Sequence, residues 1–172
     1  PIFMVVAALT SLHYMGLKMI RNEDCYIIRG YFKAFKQNFK QSTAVWLIFM
    51  VVFAVLLGDY YIVLKSGMEF NYWFKVILGV ITLFVIFTVV MVFPLMAKFT
   101  NTTIQTIKNA LAVSIYMLPK TILMIILYAI PVVVSLFTYK FMPFVIMFGI
   151  SAPAFASAFL YNSYFKKVEE RI

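Results

Sequence analysis

Lysine and arginine occur in this chain almost only at alternate junctions between long apolar runs, a pattern that restricts it to a polytopic helical membrane protein. Twelve of the fifteen basic residues fall on one set of junctions. Lys18, Arg21, Arg29, Lys33, Lys36 and Lys40 make the first group, Lys98, Lys108 and Lys120 the second, and Lys166, Lys167 and Arg171 the third. The opposite set holds only Lys65, Lys75 and Lys140. Insertion leaves positive charge in the cytoplasm when connections are short, so this bias places the C-terminal tail inside and the start of the chain outside.

Composition agrees. The 172 residues are 65% hydrophobic and 12% charged, whereas a soluble domain carries about a quarter charged residues. Lipid is therefore the solvent for most of the surface. A net charge of +9 does not indicate nucleic acid, because apolar runs separate the basic clusters. Anionic headgroups of the cytoplasmic leaflet are the expected partner for that charge, in a cell membrane.

Five apolar segments, at about 1–17, 44–64, 72–97, 118–138 and 142–165, predict five transmembrane helices in one all-α domain over 1–172. The chain opens at Pro1 inside an apolar run with no positively charged n-region, so a preceding span is expected, six in the full-length protein. Tyr60, Tyr61, Tyr72, Trp73 and Tyr139 mark the outer interface, and Trp46, Tyr161 and Tyr164 the inner one.

Two long basic-side connections carry helical periodicity. In about 27–42, Ile28, Tyr31, Phe32, Phe35 and Phe39 recur at helical spacing, with Arg29, Lys33, Lys36 and Lys40 in a second stripe about 100° round the helix. An apolar face with a basic flank predicts a helix lying in the headgroup plane, with Phe32, Phe35 and Phe39 as anchors and the four basic residues on headgroups or an acidic partner. In about 102–117, Ile104, Ile107, Leu111, Ile115 and Leu118 form the apolar stripe, and Thr102 to Gln105 can close a capping box. Its polar face is Thr, Asn and Gln, so its apolar face is expected on a partner or on the other half of the molecule. The shared order of span, amphipathic helix and span suggests a parallel internal repeat.

Few residues point to chemistry. Asp59, in Gly58-Asp59-Tyr60-Tyr61, is either an interfacial carboxylate at a helix end or a polar contact at an outward cavity. His13 has no neighbouring ligand and is expected to be structural. Cys25 has no second thiol and is expected to be inert, and Glu23-Asp24 to form a solvated turn. The run from Gly149 to Ala158 is rich in small residues and contains Pro153, which fits a packing seam with a kink or an unwound stretch lining a substrate path; Pro131 carries the same two readings. No phosphate loop, nucleophile triad or metal-ligand spacing is present, so no catalytic residue, cofactor or metal is expected.

Met19-Ile20-Arg21-Asn22-Glu23-Asp24 is followed by Tyr31-Phe32-Lys33-Ala34-Phe35-Lys36-Gln37-Asn38-Phe39-Lys40-Gln41 and then Trp46. This block resembles the YesL family of bacterial membrane proteins, as do Phe93-Pro94, Ile107-Lys108-Asn109-Ala110 and the closing Phe165-Lys166-Lys167. The resemblance implies an integral membrane protein without an assigned activity, of a kind often encoded beside carbohydrate uptake systems in Gram-positive bacteria. The expected function is therefore a non-enzymatic accessory or assembly partner of a carbohydrate ABC permease. A self-sufficient transporter or channel for a small solute, and a scaffold for lipid or protein, are the alternatives.

Overall fold

A computed structural model describes residues 2–23, 26–65, 71–137, 145 and 148–170 of the chain. The described residues form six α-helices: α1 (Ile2–Ile20), α2 (Ile27–Lys65), α3 (Tyr72–Lys98), α4 (Thr103–Tyr116), α5 (Leu118–Phe137) and α6 (Ser151–Glu169). Three of them, α2, α3 and α5, are long and apolar enough to cross a membrane. The architecture is that of an all-helical protein compatible with a membrane.

α1 ends in a Schellman turn. Asn22 adopts φ 52°, and Asn22 N–H and Glu23 N–H donate to the carbonyls of Met19 and Lys18. Asparagine tolerates the left-handed conformation, so the turn needs no glycine. The chain then reverses, and α2 packs along α1 with Thr10 Oγ1 3.1 Å from Ser42 Oγ. Cys25 and Asp24 lie outside the described residues.

α2 departs from the sequence expectation. The predicted surface helix 27–42 and the predicted span 44–64 are one helix of 39 residues. No proline interrupts it, and Thr43 Oγ1 returns a bond to Phe39 O (2.8 Å) across the expected break. At 1.5 Å per residue such a helix is about 58 Å long, nearly twice the hydrocarbon thickness. If 44–64 crosses the bilayer, 27–43 continues out of it and does not lie flat along the headgroups.

α3 begins at Asn71, whose side chain accepts from Trp73 N–H, and contains Pro94. α4 begins at Thr102, whose Oγ1 accepts from Gln105 N–H and donates to Gln105 Oε1, the capping arrangement its sequence suggests. The final predicted span, 142–165, is partly outside the described residues, and Gly149 and Ile150 form a turn within it. Pro153 consequently occupies the first turn of α6, where a helix has no donor to lose, so no kink is needed there.

The core is built by Leu17, Val45, Phe49, Met91, Val92, Met96, Ala110, Met124, Tyr161 and Phe165, drawn from all six helices. It lies against the middle of α2 and the C-terminal part of α3. Towards the C-terminal end of α2 and the N-terminal end of α3, Val51, Val55, Leu57, Leu64, Tyr72, Trp73, Ile77 and Ile81 are exposed.

Candidate functional site

Arg29, Lys33, Lys36 and Lys40 are all exposed, on the side of α2 opposite its buried residues Ala34, Ser42 and Val45. Arg29 sits 6.0 Å from the Tyr26 ring. The aromatic stripe beside them is split. Phe32 is 64% exposed, whereas Phe35 and Phe39 are half-buried and tilt against each other at 5.7 Å. The side of this segment that meets the body is small and polar: Ala34, Asn38, Gln41 and Ser42. Gln41 Nε2 donates to Asn101 O at 2.8 Å and to Thr106 Oγ1 at 3.1 Å, tying α2 to the start of α4.

In α4, Thr106, Ala110, Val113 and Ser114 are buried and Ile107 packs against the core, while Ile104, Leu111 and Ile115 face outward. Of its apolar stripe only Ile107 therefore meets the rest of the chain, and Ile104, Leu111 and Ile115 remain open to a partner.

Asp59 is half-buried and makes no hydrogen bond or ion pair among the described residues. Its neighbour Tyr60 does, through its hydroxyl to Thr82 Oγ1 at 3.1 Å.

Sequence spacing did not reveal the partners of His13. His13 is 1% exposed at the meeting point of α1, α5 and α6. Its Nε2 lies 2.9 Å from the Tyr128 hydroxyl and its Nδ1 3.1 Å from the Tyr161 hydroxyl. Tyr161 also donates a longer bond to His13 O (3.4 Å). Both imidazole nitrogens are therefore engaged, which makes His13 a buried structural residue joining three helices. Gly16, one turn along, packs against Ala154, Phe155 and Ala158 of α6.

A second polar node gathers three helix ends. Glu169 pairs with Lys98 (Oε1 to Nζ, 2.7 Å) and with Arg21 (Oε2 to Nη1, 2.8 Å), and Arg21 Nε donates to Asn162 at 2.8 Å. Burial alone raises the Glu169 carboxyl, but hydrogen bonds from Lys98 and Arg21 and their charge outweigh it and hold it below the ordinary glutamate range. All three residues belong to the basic side of the charge count. Among the described residues no group of three or more His, Cys, Asp and Glu side chains could hold a metal.

The family model described as "Protein of unknown function, DUF624" matches residues 1–60. The chain is thus similar to that family over α1 and most of α2, the segment carrying His13 and the basic stripe. No curated protein and no solved structure matches the chain.

Proposed function

We propose that this chain is a non-enzymatic multi-pass protein of the cell membrane that serves as an accessory or assembly partner of a carbohydrate ABC transporter. In this reading α1 and α6 complete five crossings with α2, α3 and α5, and the basic junctions and the C-terminus face the cytoplasm. The carbohydrate partner rests on the likeness of Met19 to Asp24 and of Tyr31 to Gln41 to the YesL family. Arg29, Lys33, Lys36 and Lys40 then meet headgroups or an acidic partner surface, with Phe32 beside them.

One observation supports a partner protein in particular. Gly58 and Gly79 lie in the exposed halves of α2 and α3, and a Cβ added at either would meet nothing within 4 Å. Glycine inside a helix costs about 1 kcal/mol relative to alanine, and no packing among the described residues makes use of it. Small residues on apolar helices admit the close approach of another helix.

The test is purification in a gentle detergent from native membrane. Sugar-permease subunits should co-purify with the unaltered protein, and the Gly58→Leu/Gly79→Leu double variant should retain less than about a tenth of them. Recovery of this protein alone, with the permease intact in the same extract, defeats the proposal.

A further inference from the structure

Beside the His13 node lies a cavity of about 260 Å³, lined by Leu9, His13, Val89, Val90, Phe93, Tyr128 and Ile150. We propose that it is a binding site for one small, mostly apolar molecule carrying a single hydrogen-bonding group, up to the size of a two-ring aromatic alcohol. It is independent of the accessory role above, because none of its residues lies on the faces assigned to a partner.

Size sets the upper limit. An apolar cavity of about 150 Å³ accommodates benzene, so this one takes a somewhat larger skeleton. Five of its seven lining side chains are hydrocarbon or phenyl. Water needs two to four polar partners each, and the two polar side chains supply too few for a filling of water.

Proton counting sets the polar end. A neutral imidazole has one donor and one acceptor, and both of its nitrogens face tyrosine hydroxyls. Tyr161 gives its proton to His13 O, so Nδ1–H donates to Tyr161 and Tyr128 donates to Nε2. The Tyr128 oxygen, which is also hydrogen-bonded to Ser157, keeps a lone pair, so the polar group of the ligand is a donor. Ile150, at the rim, is 45% exposed, which gives entry from the surface of the bundle.

The experiment compares 1-naphthol with naphthalene, which share a skeleton and differ by one hydroxyl. Uptake is measured by equilibrium dialysis into nanodiscs of zwitterionic lipid containing the full chain, above uptake into empty nanodiscs. The expected result is saturable binding of one naphthol per chain, with naphthol favoured over naphthalene about two- to tenfold, the range of one net hydrogen bond. Val90→Phe should fill the cavity and abolish the saturable component. Tyr128→Phe preserves shape and should equalise the two ligands, a result that stands even if Val90→Phe fails to fold. Uptake no greater than in empty nanodiscs, equal binding of both ligands by the unaltered chain, or an undiminished naphthol preference in Tyr128→Phe each overturns the proposal.

Discussion

Gly16 shows how narrow the tolerance is where α1 meets α6. A Cβ there would lie 3.5 Å from Ala158 Cβ and 3.6 Å from Phe155 Cα, which is ordinary contact. Gly16→Ala should therefore be neutral or stabilise by up to about 1 kcal/mol through helix propensity. Gly16→Leu has no such room and should cost about 1–3 kcal/mol by overpacking. Thermal unfolding in detergent reads both, and equal midpoints for Ala and Leu would contradict the close approach. Gly16 and His13 were visible in the sequence only as residue types. His13 finds its partners 115 and 148 positions away, and no periodicity can report a contact at that separation.

At the level of elements, apolar length located α3 and α5 and helical periodicity located α4 to within a residue or two, but neither showed that the two segments of α2 join. The change of composition near Thr43 suggested two elements in α2. Composition decides which solvent surrounds a helix, whereas continuity depends on unbroken backbone bonding, and nothing at 42–44 breaks it. Spin labels at Lys33→Cys and Leu57→Cys, in a Cys25→Ser background, should be about 36 Å apart along one straight helix. A right-angle bend near residue 43 would give about 26 Å from the same rise per residue. Double electron–electron resonance separates the two, and the shorter distance would restore the flat surface helix. The faces of α2 and α4 are shared between apolar and polar side chains: Ile104, Leu111, Ile115 and Phe32 face outward, Ile107 packs inward, and Gln41, Ser42, Thr106 and Ser114 bond within.

Across the described residues a hydrophobic core is joined by buried polar contacts, and the Arg21–Glu169–Lys98 node ties together the ends of α1, α3 and α6. Because the Glu169 carboxyl is held below its ordinary value, its ionised form contributes stability at neutral pH that is lost as pH falls through the lowered value. Glu169→Gln should lower stability at pH 7 by about 1 kcal/mol, a magnitude reduced by its partial exposure. The variant should also flatten the acid limb below about pH 4.3, the unperturbed glutamate value. Unfolding midpoints of both proteins between pH 7 and 3 provide the check, and parallel curves would remove the node from the account of stability.

Taken alone, the sequence determined the all-helical class of this protein and the approximate bounds of α3, α4 and α5. Hydropathy and the spacing of charge are local properties, and they follow from the solvent each segment must meet. Only the three-dimensional structure decided that α2 runs unbroken, that Thr106 and Ser114 of α4 are buried, and that His13, Tyr128 and Tyr161 meet beside a cavity. The first follows from backbone bonding that a change of composition does not interrupt, and the others from packing and hydrogen-bond satisfaction between segments 60 to 148 residues apart, which local patterns do not report.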